Sequence, residues 1–264
     1  MKTMTKTTRL HKRFLASVLL CAIVVALTIV SPALAVSSCS FEAQGEGRVS
    51  AIIDARTFRM DDGREVRLAG IETMTNGAAA LSALVAGRSV TLRGDSDAPD
   101  RYGRQPAWVL VEQAATSVQH QLLRQGDALV SGSVADKACA AELAAAEAAA
   151  RGAKRGLWAS SAAIKNAESP GDILTRIGQF TVVEGKVLSV RQAGSVTYIN
   201  FGRRWTRDFA VTISRRMVAA FEAAGISFKS LENKRIRVRG FIEARGGPRI
   251  EAHQMGQIEM AGEN

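Results

Sequence analysis

GRVSAIIDARTFRMDDGREVRLAGIET, residues 47–73, decides how the chain folds. Val49, Ile52 and Ile53, then Thr57, Phe58 and Met60, read as a strand pair over 47–60. Asp61-Asp62-Gly63 follows, and an Asp-Gly step tolerates the positive φ that a tight hairpin turn needs. Residues 65–71 return as a third strand. Such a meander buries one face and leaves the other in water, so further elements must cover it.

Those elements follow downstream. Residues 78–86 read as a short helix stopped by Gly87, with strands at 89–93 and 107–112. Residues 114–126 are helical, with Val118, Leu122 and Leu123 on one stripe and Gly126 as the C-cap. The alanine-rich stretch 136–151 favours helix strongly, and Trp158 is expected to pack its end back on the core. A linker is expected at 164–178, around Pro170-Gly171. The pattern then repeats: strands at 180–191, 197–201 and 209–213, a helix at 215–224 ended by Gly225, and strands at 234–242 and 249–252. Three strands, a helix and two strands is the order of a five-stranded OB barrel. The prediction is a mostly β protein with helices (α+β). It has two OB-type five-stranded barrels, a first domain over 36–163 with added helices and a second over 179–262.

The apolar content of 47% supplies real cores and argues against disorder. Lys2, Lys6, Arg9, Lys12 and Arg13 precede an uncharged apolar run from Phe14 to Val30, and Ala33-Leu34-Ala35 offers a small-x-small site. Residues 1–35 therefore read as a signal peptide, and the protein as exported, periplasmic or secreted, with no stable membrane anchor after cleavage. An uncleaved anchor and a lipoprotein at Cys39 are the other readings. Cleavage removes Cys21 and leaves Cys39 and Cys139. An even pair in an exported chain reads as a disulfide, with two buried thiols the alternative.

The formal net charge of +10 is uneven: residues 36–175 carry 15 Lys/Arg against 17 Asp/Glu, while 176–264 carry 15 against 8. The basic character lies in the C-terminal third, where it favours phosphate backbones. No Cys/His spacing suits zinc. His120 and His253 stand alone, and no glycine-rich phosphate loop or nucleophile elbow is present.

Three stretches, in order and at matching spacing, resemble the staphylococcal nuclease (thermonuclease) family. Ile52-Ile53-Asp54-Ala55-Arg56-Thr57-Phe58 is similar to its V-I-D-G-D-T strand. Val66-Arg67-Leu68-Ala69-Gly70-Ile71-Glu72-Thr73 is similar to its R-L-x-x-I-D-T-P-E strand and loop. Asp100-Arg101-Tyr102-Gly103-Arg104 is similar to its D-K-Y-G-R element. The resemblance covers about 45–160, and the residues after 178 look like an appended small OB-type domain. It implies Ca²⁺-assisted phosphodiester hydrolysis of DNA or RNA, in which a glutamate activates water and two arginines steady the phosphorane-like transition state. Arg67 and Arg104 match the arginines. Asp54, Glu72 and Thr73 match metal-site positions, and Arg101 and Tyr102 the basic and aromatic residues near the phosphate.

The departures fall on the hydrolytic half. Arg56 replaces a metal-ligating aspartate, and Thr75 stands where the catalytic glutamate belongs. Fewer anionic ligands weaken Ca²⁺, and a lost general base costs about 10²–10⁴-fold. Leu129 and Ser131 stand where the family can carry nucleotide-packing tyrosines. Arg56 is expected to bind phosphate directly beside Arg67 and Arg104, whose bland reading is surface ion pairing. Asp95, Asp97 and Asp100 form an acidic cluster that holds a cation or is simply a solvated loop.

In the C-terminal domain Tyr198, Phe201, Trp205 and Phe209 interleave with Arg203, Arg204 and Arg207, and the strand at 234–242 turns Arg235, Arg237 and Arg239 outward. Aromatics among arginines suit single-stranded nucleic acid. The alternative is an aromatic core with a solvated cationic edge. The expected function is nucleic-acid or phosphodiester binding with hydrolysis weak or lost. The rivals are a metal-dependent nuclease built on other carboxylates, such as Glu72 and Asp54, and a non-catalytic envelope interaction protein.

Overall fold

The Asp61-Asp62-Gly63 turn closes as expected, Met60 N donating to the Arg64 carbonyl at 2.9 Å. The structure, a computed structural model, describes residues 39, 41–74, 77–96, 98–112, 114–223 and 225–262. The expected signal peptide, Cys21, Thr75 and Asp97 lie outside the described residues.

Strands β1 (Glu42–Asp54), β2 (Thr57–Met60) and β3 (Glu65–Leu68) form the meander. After β4 (Ile71–Thr73) and helix α1 (Ala78–Val85), β5 (Ser89–Gly94) and β6 (Arg104–Val111) close a five-stranded barrel in the order β1-β2-β3-β6-β5. Closure works because β1 is long and shared: its first half pairs with β5 and its second with β2. The β3–β6 ladder is parallel. Phe58, Val66, Leu92 and Val109 fill the barrel. Helix α2 (Val118–Gln125), strand β7 (Ala128–Val130), which pairs with β4, and helix α3 (Lys137–Gly152) pack against it. Cys39 and Cys139 are disulfide-bonded, closing a separation of 100 residues, and Phe41 stacks on Trp108 with ring centroids 4.9 Å apart.

The stretch expected as a linker is structured. Strand β8 (Ile164–Asn166) and helix α4 (Pro170–Leu174) occupy it. Pro170 starts that helix rather than breaking the chain, since a proline's missing N–H costs nothing in the first turn, and Ile173 is fully buried.

The second barrel repeats the first with two strands broken. It comprises β9 (Phe180–Lys186), β10 (Ser189–Ala193), β11 (Val196–Asn200), β12 (Ala210–Ser214), helix α5 (Arg215–Ala223), β13 (Arg235–Phe241), β14 (Glu243–Arg245) and β15 (Gly247–Glu251). β9 and β10 are one strand interrupted at 187–188, and β13 and β14 another interrupted at Ile242. The ladder therefore runs as two sheets, β10-β11-β12-β15-β14 and β13-β9, with β8 and β16 (Ile258–Met260) added at the edges of the latter. The parallel β12–β15 pair stands where β3–β6 stands in the first barrel. Ile199, Phe209, Val211, Phe221 and Ile236 are its core.

The two barrels share an interface. Leu129, Ala150 and Trp158 pack with Val182 of β9. Gly132, at φ 80°, brings its backbone against Gly256, where a Cβ would meet backbone atoms at 2.6 Å. Arg239 of β13, 2% exposed, crosses into the first barrel. Its Nη1 donates to the Glu147 carboxylate at 2.9 and 3.1 Å and to the Val130 carbonyl at 3.0 Å.

Candidate functional site

Asp54 ends β1 and folds the chain over. Its Oδ1 accepts from Arg56 N at 2.8 Å, which starts β2 on the return path. Thr57 of β2 lies opposite Arg67 of β3. Gly70, at φ 77°, then turns the chain into β4, where an added Cβ would strike the Trp108 ring at 2.8 Å. That turn places Ile71, Glu72 and Thr73 beside the 54–57 turn.

The guanidinium of Arg56 ion-pairs with the Glu72 carboxylate and donates Nη1–H to the Ile71 carbonyl at 3.0 Å. Both side chains are mostly buried. Burial pushes the Glu72 carboxyl above the usual range, and Arg56 pulls it back without cancelling the effect. Arg67 extends from the middle of β3 into the same cleft. It makes no ion pair or side-chain hydrogen bond among the described residues.

The cleft has a volume of about 310 Å³ and two walls. Asp54, Arg56, Arg67, Glu72 and Thr73 form one, and Gly178, Gln179, Phe180 and Phe241 form the other. Phe180 and Phe241 are cross-strand partners, packed edge to face with centroids 5.4 Å apart. Phe241 is half exposed.

Arg104 stands outside this lining. Its Nε and Nη2 donate to Asp100 Oδ2 at 3.0 and 2.7 Å. Asp100 Oδ1 accepts from the backbone N–H groups of Tyr102 and Arg104, at 2.8 and 3.1 Å. The Tyr102 ring lies against the Arg104 guanidinium, 4.7 Å from centroid to Cζ, with Arg101 at 5.6 Å. The Arg104 hydrogen bond holds the Asp100 carboxyl below its usual range despite the opposing cost of burial. The hydrogen bond to Asp100 raises the pKa of Arg104, and the negative charge of Asp54 adds to it.

Two expected roles differ in the structure. Arg56 is not an unpartnered phosphate ligand, because Glu72 and the Ile71 carbonyl already hold its Nη1. Of the two readings of the acidic cluster, the Asp100 carboxylate serves Arg104 rather than a cation. The outward cationic row of β13 is neutralised: Arg235 and Arg237 pair with Glu184 at 2.7 Å each, Arg237 also with Glu259 at 3.0 Å, and Arg239 is buried on Glu147. Strand alternation did separate these arginines from the core side, but carboxylates from other elements meet their charges, although Arg235 itself stays exposed.

The fit of a calcium ion follows from the same geometry. Ca²⁺ takes about six to eight oxygen ligands. Here the Glu72 carboxylate and Ile71 carbonyl are occupied by a guanidinium, and among the described residues no group of three His, Cys, Asp or Glu is placed to hold a metal. These residues do not fit the ion.

Around the second barrel Phe201 and Phe209 are core residues with centroids 5.1 Å apart. Arg203, Arg204, Trp205 and Arg207 are exposed on the loop between β11 and β12. Missed from sequence were the acceptors Glu147, Glu184 and Glu259 and the Phe180–Phe241 wall. The only available signal was Phe241 sharing the arginine side of its strand. Leu129 is buried at the barrel interface against Val182, so that position is committed to packing.

Residues 66–160 match the family model described as staphylococcal nuclease homologue, which begins within β3 and takes in β4 to α3. No curated protein matches the chain.

Proposed function

From the premise that residues 66–160 are a staphylococcal nuclease homologue domain, we propose that this protein binds nucleic acid at the Arg67 cleft without calcium-assisted hydrolysis. The observation that carries the reading is the contrast between two arginines in one cleft. Arg56 is paired through Nη1 with Glu72, where metal-ligating oxygen is needed, while Arg67 makes no ion pair or side-chain hydrogen bond among the described residues. A guanidinium matches two phosphate oxygens with its planar fork. Phe180 and Phe241 supply an apolar wall for a sugar or base at the distance of one cleft width. Arg56 cannot replace the missing base, because a guanidinium does not give up its proton.

A nuclease built on other carboxylates is favoured by one observation. Burial raises the Glu72 carboxyl in the direction that suits a general base. It would first have to release Arg56.

The export reading is also part of the proposal, supported by the Cys39–Cys139 bond, because disulfides persist in oxidising compartments. Mass spectrometry of the protein recovered from its host, reading the N-terminus and free thiols, tests it.

The deciding experiment incubates single-stranded DNA and RNA with the protein, with Ca²⁺ and with chelator, beside Arg67→Ala and Arg104→Ala. The expected result is no cleavage, with binding that persists in chelator, falls with salt, and loses about one unit of salt slope in Arg67→Ala. Metal-dependent cleavage lost in the variants would overturn the reading in favour of the rebuilt nuclease. Absence of binding would leave the envelope interaction protein.

A further inference from the structure

The β10–β11 ladder of the second barrel has one face in the core and one in water. Val190 and Ile199 are partners that turn inward. The alternate pairs, Ser189 with Asn200 and Arg191 with Tyr198, turn outward together. An open cavity of about 730 Å³ lies over this outer face, lined among others by Leu188, Arg191, Tyr198, Asn200, Arg203 and Trp205.

Trp205 is 79% exposed, whereas Trp108 and Trp158 are each 6% exposed. Its loop is nevertheless held in place. Phe201 and Phe209 anchor the two ends in the core, and Asp208 Oδ2 accepts from the Arg204 backbone N–H at 2.8 Å. The indole is therefore presented to solvent on a braced loop, which lowers the ordering cost of using it.

The arginines of the C-terminal domain divide sharply. Arg235, Arg237 and Arg239 are all paired with carboxylates. Arg191, Arg203, Arg204 and Arg207 make no ion pair or side-chain hydrogen bond among the described residues. The loop's one carboxylate, Asp208, is spent on backbone. The cavity thus combines the positive charge of Arg203 and of Arg191, which Glu232 feels at a distance without an ion pair, with two aromatic rings and the amide of Asn200. A ligand complementary to that set alternates anions with planar rings. Single-stranded nucleic acid does so, whereas a duplex hides its ring faces and an acidic peptide lacks them.

We propose that this face is a second nucleic-acid site, distinct from the Arg67 cleft, that takes a single-stranded segment. A base stacks on Trp205 and Tyr198, and the flanking phosphates lie on Arg191 and Arg203. The ligand class is shared with the cleft reading, but the residues are not.

The test uses the full chain in chelator, with a short oligothymidylate as probe. Trp205 is the exposed tryptophan, so stacking is expected to quench intrinsic fluorescence saturably, and more strongly than a hairpin duplex does. Measured by anisotropy of a labelled strand, Trp205→Ala is expected to weaken binding about 5- to 150-fold, with an unchanged melting temperature. Arg191→Ala and Arg203→Ala should each flatten the salt dependence. Trp205→Phe should recover most of the affinity. Unchanged affinity in Trp205→Ala, or equal quenching by polyglutamate, overturns the proposal. Arg67→Ala separates the sites: loss of its effect with the Trp205 effect intact sinks the cleft reading alone, and the converse sinks this one alone.

Discussion

Replacing Arg239 by methionine tests whether the two barrels are locked together by charge. In the native protein the guanidinium is 3% exposed and Glu147 2% exposed. Arg239 supplies Glu147 with bonds at 2.9 and 3.1 Å, the Val130 carbonyl with one at 3.0 Å, and Glu259 with a contact at 3.2 Å. Without it, Glu147 keeps the Val130 N–H at 3.0 Å and the more distant Arg151 at 3.9 Å. A buried carboxylate so depleted costs about 3–5 kcal/mol. At about 2–4 °C per kcal/mol for a protein of this size, the melting temperature should fall by roughly 6–20 °C. The double variant Arg239→Met, Glu147→Leu removes both charges, and such exchanges run from neutral to stabilising. It should therefore melt well above the single variant. Differential scanning calorimetry with the disulfide intact reads both. A single-variant loss of less than about 3 °C, or a double variant no better than the single, would refute the buried clamp. The clamp also positions Phe241, two residues along the same strand, so oligonucleotide affinity at the cleft should fall in the single variant and return in the double.

Four further outcomes are expected. Reduction, or the pair Cys39→Ser and Cys139→Ser, should lower stability by up to about 4–5 kcal/mol, since the bond closes a separation of 100 residues; a shift in urea midpoint measures it. For Glu184, burial raises the carboxyl but the hydrogen bonds from Arg235 and Arg237 prevail, so its folded pKa lies below 4.5. A depressed carboxylate stabilises above its unfolded pKa and loses that contribution as pH falls through the folded value, so Glu184→Gln should melt lower than the parent at neutral pH and converge with it below about pH 4.5. Arg56→Asp frees Glu72 and the Ile71 carbonyl and adds a carboxylate beside Asp54. Ca²⁺ should then raise the melting temperature of the variant but not of the parent, by an amount equivalent to about 2.7 kcal/mol at a hundredfold excess over Kd, and a flat response would show that the oxygens do not converge. Phe241→Ala should cost about 1–3 kcal/mol in oligonucleotide affinity if that ring stacks on a base, as fluorescence anisotropy would report.

What could be read from sequence was what neighbours in the chain decide. The 47–73 meander is set by β-favouring apolar residues and a local turn, and its site residues converge because Asp54, Arg56, Arg67 and Glu72 lie on adjacent strands or the turns joining them. What could not be read depends on partners far away. Alternation along β13 places Arg235, Arg237 and Arg239 on one side, but only the fold brings Glu184, Glu259 and Glu147 to meet them. Pro170 carries opposite meanings as a breaker and as a first-turn residue, and the burial of Ile173 decides between them. Phe180 and Phe241 become a wall of the cleft through a pairing across 61 residues that no local pattern announces.

On the proposed reading, Arg56 in place of a metal-site aspartate changes the chemistry of the cleft while leaving its attraction for anions in place. A divalent ion at such a position does two jobs: it neutralises phosphate and it lowers the pKa of a bound water. A guanidinium does only the first, and in this geometry Arg56 is spent on Glu72, which also removes that carboxylate as a ready base. The arginine of the cleft without an ion pair among the described residues is then Arg67, while Arg104 has its Nε and Nη2 bonded to Asp100 at 3.0 and 2.7 Å. On the proposed reading, the lost tyrosine positions are compensated from outside the first barrel. Leu129 joins the interface that docks the second barrel, and that docking brings Phe180 and Phe241 to face Arg67. On that reading the second barrel and the altered metal site are parts of one change, from a pocket that activates water to a cleft that holds a strand.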